Sequence, residues 1–277
     1  MTKAAELAKM GEVLTNSQIG GRRNLIINGA MQVAQRGTSS STTSSGYKTV
    51  DRINNVASSL GASNNNITMS QVTDAPTGFS NSFKVNIDAA ESPLSNAGTS
   101  FDIRQRFEGQ NLQQLKKGTS DAEKVTLSFY VKSNKTGTYI VQLLDKDNNR
   151  NISKSYTIDS SSTWEYKTIT FEGDTTGTFD NDNARSLDLI FALFKGTTYT
   201  SGTLATSWES QTNANEAVGQ VNLADTLNNF WQITGIQLEV GEQATPFEHR
   251  SYGEELALCK RYCNALMNYG AGDVGTN

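Results

Sequence analysis

The chain has 277 residues, of which 36% are hydrophobic and 19% charged, so uncharged polar residues make up the balance; the formal net charge is −4. This length buries one large core or two small ones, and the polar balance favours sheets with one solvated face over helical bundles. The acidic balance and the lack of a dense Lys/Arg cluster exclude the electrostatic footprint of a nucleic-acid binder, and no apolar run has the length of a membrane span or the pattern of a secretory signal. The expectation is a soluble chain made in a cytoplasm.

Residues 2–14 read as a short helix. Leu7, Met10 and Leu14 recur at helical spacing, with Lys3, Glu6, Lys9 and Glu12 on other faces. A helix of about three turns is unstable alone in water, so this stripe needs another chain, another protein or the main domain to cover it. It is the predicted oligomerisation and attachment segment, and Gly20-Gly21 ends it as a hinge. Residues 25–33 read as a strand or strand pair interrupted at the turn dipeptide Asn28-Gly29, and the run GTSSSTTSSG (37–46) reads as a surface loop.

From Ile67 onward the period is two. Val125, Leu127, Phe129 and Val131 alternate with polar or larger surface residues in a half-buried strand. Thr136-Gly137 reads as the turn of a hairpin leading into the strand at 139–144. Further strands are predicted at 152–158, 164–171, 187–194 and 230–240, with Trp164 and Trp231 as core residues. In 187–194 both alternating sets are apolar, which predicts a central strand covered on both faces. Gly235 separates the Trp231/Ile233 phase from the Ile236/Leu238/Val240 phase, the mark of a bulge. About ten strands with no alternating helices argue for an all-β sandwich or barrel. The last element is a helix: Ser251 and Glu254 form a capping box, and Leu256, Cys259, Tyr262, Cys263 and Leu266 form one stripe that requires a partner surface. The predicted organisation is an N-terminal helix and hinge (1–21), a sandwich (22–250), and a C-terminal helix with a Gly-rich tail (251–277).

No catalytic constellation is visible. The single histidine, His249, lacks a nucleophile signature around it and is expected to bond backbone where the sandwich hands over to the helix. Cys259 and Cys263, four apart on one helix, are expected to be small buried residues and not a disulfide or zinc pair. DKDNNRN (145–151) begins like a calcium loop at Asp145, Asp147 and Asn149, but Arg150 and Tyr156 stand where a glycine and an acidic residue are required, so a polar turn is expected. Asp180 and Asp182 sit in a similar Asx-rich turn. No metal or cofactor is expected. Trp208 falls in a long Thr/Ser/Asn segment beside Tyr199. A loop indole can stack on a sugar face, and it can equally pin a long loop to a sheet.

Four stretches carry a family resemblance: NLIINGAMQVAQRG (24–37), IRQRFEGQNLQQLKKGTSDAE (103–123), LSFYVKSNKTGTY (127–139) and QLEVGEQATPFEHRSYGEELALCKRY (237–262). In this order and without large gaps they resemble a group of tailed-bacteriophage virion proteins, mostly tail-fibre or generic structural components. The resemblance implies a jelly-roll sandwich like those of carbohydrate-binding modules, where periodicity leaves an immunoglobulin-type sandwich open. It implies a homotrimeric appendage of the virion, assembled in the host cytoplasm and partnered by other phage proteins. It also implies a role in recognising host-surface glycan, for which Tyr199 and Trp208 are the candidate residues. A head decoration or head fibre is the alternative, and a polysaccharide-degrading enzyme is a second, disfavoured by the missing nucleophile motif and the missing β-helix repeat.

Overall fold

The computed structural model describes Lys3 and residues 23–264, apart from Thr43, 61–66 and Ser95. The chain folds as an antiparallel sandwich. The six-stranded sheet runs, in spatial order, β1 (Ser39–Ser41), β4 (Ile67–Val72), β5 (Ser82–Ile87), β13 (Phe230–Val240), β7 (Val125–Ser133) and β10 (Glu165–Phe171). The seven-stranded sheet runs β12 (Glu209–Ser210), β9 (Arg150–Ile158), β8 (Gly137–Asp145), β11 (Arg185–Lys195), β6 (Ser100–Glu108), β3 (Asn54–Ser58) and β2 (Gly46–Tyr47). The chain passes repeatedly from one sheet to the other, giving a jelly-roll-like sandwich. The expected helix stripe of Leu7, Met10 and Leu14 lies outside the described residues, as does Leu266.

The core forms where the inward rows interdigitate. Phe129 and Trp231 from the six-stranded sheet meet Phe191, Tyr139 and Tyr156 from the other, with Phe129 lying 5.2 Å from both Phe191 and Tyr156, and Phe191 5.6 Å from Trp231. All five are buried, and each large apolar side chain removed from water contributes roughly 1.5–3 kcal/mol. The polar tips are satisfied internally: Trp231 Nε1 donates to Tyr156 Oη at 3.2 Å, and Tyr139 Oη donates to the Lys135 carbonyl at 2.8 Å. Burial pushes both tyrosine hydroxyls well above the usual phenol range. As the apolar run predicts, β11 lies between β8 and β6 and is covered on both faces.

The bulge expected at Gly235 is present. The β13–β7 register shifts between Thr234 and Gln237, and Gly235 has φ +62°, a conformation that favours glycine. A Cβ there would also lie 2.7 Å from the Phe79 ring. The bulge frees the Ile236 N–H, which donates to the Gly29 carbonyl at 3.0 Å. Gly29 is equally required, since a Cβ would stand 2.2 Å from the Ile236 carbonyl oxygen.

Several sequence expectations are corrected. Residues 25–33 form no strand, because the Asn28 side chain takes the place of a ladder. Its Nδ2 donates to the carbonyls of Val33 (2.8 Å) and Asp51 (2.9 Å), its Oδ1 accepts from Val33 N (3.0 Å), and Asn28 and Met31 adopt positive φ. Thr136-Gly137 is not a hairpin turn: β7 and β8 belong to opposite sheets, and β8 pairs with β9 and β11. Trp231 is in the core, whereas Trp164 is not; it projects from the outer face just ahead of edge strand β10.

The helix α1 (Tyr252–Lys260) is capped as expected, with Ser251 Oγ accepting from Glu254 N at 3.3 Å. Its buried residues are Glu255 and Cys259, and Tyr262 and Cys263 lie in the turn that follows. Glu255 is buried because its carboxylate accepts from Asn28 N (2.5 Å) and faces Arg250 Nη1 (3.5 Å). Both cysteines are free thiols, and burial pushes that of Cys259 up to about 12. It is a packing residue with little thiolate character.

Candidate functional site

Three places on the sandwich bring polar and aromatic side chains together. The first is the outer face of the seven-stranded sheet, which the segment 196–222 roofs. Ser153 N donates to the Ala205 carbonyl (2.7 Å), Ser153 Oγ donates to the Glu216 carbonyl (2.9 Å), Val221 N donates to the Thr138 carbonyl (2.8 Å), and Ala217 packs on Ile140 and Ala192. Beneath this roof runs a buried chain of charge. Lys195 Nζ lies 2.7 Å from Glu216 and 3.5 Å from Asp102, Asp102 pairs with Arg104 (2.7 Å), Arg104 reaches Asp188 (3.4 Å), and Arg185 also bonds Asp188. Gln142 and Asn151, diagonal neighbours in the same outward row, are buried with no hydrogen-bond partner for either amide atom.

Both sequence-predicted aromatic residues belong to this roof. Tyr199 is half-buried, with Lys195 Nζ 5.0 Å from its ring centre. Trp208 packs against the main core, its Nε1 donates to the Glu172 carbonyl at 2.6 Å, and Lys117 Nζ lies 5.6 Å from its ring. Lys117 is itself buried against Asp145 (2.6 Å) and Asp174 (3.1 Å), and Arg150 holds Asp174 from the other side at 2.7 Å. The roof is therefore pinned through Trp208 onto a buried ionic cluster. Asp145 also accepts from the backbone of Asp147 and Asn148, so the stretch that begins like a calcium loop is a polar turn closed by a lysine. Asp182 likewise accepts from Ala184 N, and Asp180 N donates to Asp147.

The second place is a cavity of about 410 Å³ at one end of the sandwich, where three of the four stretches that carry the family resemblance meet. Asn24, Leu25 and Ile27 come from the first, Phe107, Glu108, Gln110 and Gln114 from the second, and Arg250, Leu258, Arg261 and Tyr262 from the last. Arg250 ties the ends together, donating to the carbonyls of Asn24 (2.6 Å) and Ile26 (3.0 Å) and pairing with Glu248 (3.0 Å). Glu248 accepts from the N–H groups of Arg23 and Asn24. Burial pushes its carboxyl up, but those N–H groups and Arg250 hold it below the usual carboxylate range. Arg261 bonds both oxygens of Glu108, and the Arg52 guanidinium stacks 3.5 Å over the Tyr262 ring. Guanidinium groups, carboxamides and aromatic walls suit binding. Among the described lining residues Glu108 is the one carboxylate, and it is committed to Arg261, so no acid/base pair is formed there.

The third place is the outer face of the six-stranded sheet. Trp164 and Tyr166 project from its β10 edge, and Tyr166 is 48% exposed. Tyr166 sits 4.9 Å from Tyr130 on β7, Tyr130 lies 5.5 Å from Phe79, and Phe79 lies 5.0 Å from Phe247 and 5.3 Å from His249. His249 is thus a ring among rings, and its described contacts are aromatic and not the backbone bond expected of it. Above the tyrosines, the Asp74 carboxylate accepts from Lys132 (2.7 Å), Gln232 (3.2 Å) and Trp164 Nε1 (3.3 Å). Partial burial raises its pKa, but these three donors hold it below the usual range. Sequence reasoning missed this face because the regular alternation Trp164-Glu165-Tyr166-Lys167 reads with the aromatics inward, whereas the register sets Glu165 and Lys167 opposite the core residues Val131 and Phe129. They turn inward at the sandwich margin, where they pair at 2.6 Å, and Glu165 accepts from the N–H groups of Asp159 and Ser160.

No protein-family model matches the chain, and no curated protein matches it. Among solved structures it is similar to the enzymatically active domain of tailspike protein 4 of bacteriophage CBA120 (12% identity over 78% of this chain, TM-score 0.41), of which it spans 21%. It is also similar to the family 11 carbohydrate-binding module of Clostridium thermocellum (14% identity, 70% of this chain and 91% of that one, TM-score 0.35). A third is TmCBM61, solved with β-1,4-galactotriose (10% identity, 79% of this chain and 99% of that one, TM-score 0.36). Likenesses this distant carry no inference about ligand or activity.

Proposed function

We propose that the chain is a structural component of a tailed-bacteriophage particle, a homotrimeric tail-fibre-type appendage without hydrolytic activity, whose sandwich contributes to recognising glycan on the host surface. The observation that carries this reading is the convergence of the resembling segments. Stretches separated by most of the chain fold onto one junction, around Arg250, Glu248 and Asn24, so the resemblance follows a single structural unit. The stripe of Leu7, Met10 and Leu14 is the proposed trimer contact, because a short helix cannot bury it alone.

Gold-labelled antibody against the purified chain, imaged on intact particles, tests the placement. Label on tail fibres supports it, and label confined to the capsid shell overturns it in favour of a head decoration. Light scattering on the full chain should give three times the chain mass. Steady release of reducing ends from a bacterial surface polysaccharide, abolished by a single Glu→Gln change, would overturn the non-enzymatic part.

A further inference from the structure

We infer that the β10 edge of the six-stranded sheet, at Trp164 and Tyr166, is a stacking platform for the pyranose rings of a surface glycan. The inference rests on the glycan-recognition part of the reading above and gives it a location that the loop residues Tyr199 and Trp208 do not supply.

Trp164 and Tyr166 are two residues apart, so both side chains stand on one face of the sheet, roughly 7 Å apart along the strand. A pyranose presents an apolar C–H face and a rim of hydroxyls, and a site for it needs an aromatic surface beside fixed donors and acceptors. Both are here. Tyr166 is 48% exposed, and the Asp74–Lys132 pair adjoining Trp164 offers a carboxylate and an ammonium, with Asp74 held in place by Lys132, Trp164 and the buried Gln232 amide. The platform is ordered before any ligand arrives, because Tyr166 leans on Tyr130 and Trp164 is held by Asp74, which lowers the entropy cost of binding.

The cross-strand register places Lys132 opposite Gln232, but Gln232 is 2% exposed and its amide N–H is spent on Asp74 and Ser82, so the accessible polar groups of the platform are Lys132 and Asp74 beside Trp164. On the opposite sheet, outward positions of β8, β9 and β11 lie beneath the 196–222 roof. A protein partner fits less well. The aromatic rings here are interleaved with the charges of Asp74, Lys132 and Lys84, whereas the buried centre of a stable protein interface is depleted of charged residues.

The test uses the full chain on a printed array of bacterial surface polysaccharides, with Trp164→Ala, Tyr166→Ala and, as a surface control, Tyr252→Ala. Tyr252 is 57% exposed on α1, remote in sequence from the platform. Losing one stacking ring should weaken binding about tenfold, with Tyr252→Ala unchanged. Hydroxyl-radical footprinting of the parent chain with the best array glycan needs no variant and should protect Trp164 and Tyr166. Parent-like binding by both variants, or unprotected rings in the complex, overturns the platform and leaves the glycan reading standing. A parent chain that binds nothing on the array overturns that reading, and the platform with it.

Discussion

On the seven-stranded sheet the outward residues Asp102, Arg104, Asp188 and Lys195 lie under a roof of chain, whereas on the six-stranded sheet Lys132, Lys84 and Tyr166 reach solvent from equivalent outward positions. Both faces carry lysine–carboxylate pairs and aromatic rings, but water decides what these do. Under the roof, the Lys195 side chain is 2% exposed and its partners Asp102 and Glu216 are 1% and 7% exposed, so each charge depends on the others to stay buried. On the open face, Asp74 is 50% exposed and its bond to Lys132 competes with solvent. The roofed face is committed to holding the fold together. The open one keeps Tyr166 and the Asp74–Lys132 pair in contact with water.

The largest effect expected is from Lys195→Met, which strands Asp102 and Glu216 without their ammonium. It should cost about 3–5 kcal/mol in urea unfolding, against under about 1 kcal/mol for Lys132→Met on the open face. Equal costs would break the comparison. Next comes Trp208→Ala, which removes the bond to the Glu172 carbonyl and the contact over Lys117. A loss of about 2 kcal/mol is expected, with faster amide exchange between residues 200 and 216 and little change on the open face.

Acidification should separate the faces in the same direction. Burial raises the pKa of Asp174, but Arg150, Lys117 and the Thr176 N–H hold it below the usual value. A carboxyl whose folded pKa is depressed contributes stability that is fully present above its unfolded pKa of about 3.9 and lost as pH falls through the folded value. The gap in stability between the parent and Asp174→Asn should therefore be constant above about pH 5 and close progressively below about pH 4. Asp74 is also shifted down, but solvent screening makes the same titration on the open face a small effect. The smallest expected change is from Tyr166→Ala, within about 0.5 kcal/mol in stability, because its ring leans on Tyr130 without being enclosed. A large loss of stability there would mean that the ring is structural and the two faces are less different than they look.

Much of the sandwich was legible because burial writes itself as alternation. Leu127 and Phe129 announce β7, the doubly apolar run of Leu187 to Phe194 announces a central strand, and Gly235 marks the bulge. What was not legible is pairing. Nothing local in Thr136-Gly137 says that β8 joins the other sheet, because the partners that decide it, β9 and β11, lie further along the chain. Residues 25–33 misled for a related reason: an asparagine side chain can imitate a ladder, and alternation does not reveal it. The face of Trp164 was hidden by Glu165 and Lys167, whose inward turn is satisfied by each other and by a backbone turn. The loop aromatics Tyr199 and Trp208 stand out in the sequence, but whether Trp208 faces solvent or a buried lysine is a tertiary fact.

The position of β13 bears on how the molecule is made. Among the described residues it is the last strand in chain order, yet it lies between β5 and β7, and it is the strand beside which residues 23–29 fasten. Until residue 240 leaves the ribosome, the six-stranded sheet is two separate fragments, each with an open edge and an unfilled slot where Trp231 belongs. Folding dominated by such distant pairings is slow, and exposed strand edges invite pairing with a neighbouring chain. Where several copies are produced at once, the interval before β13 docks is when chains are most exposed to mispairing, so lower temperature or slower synthesis should raise the yield of soluble protein more than any surface substitution would.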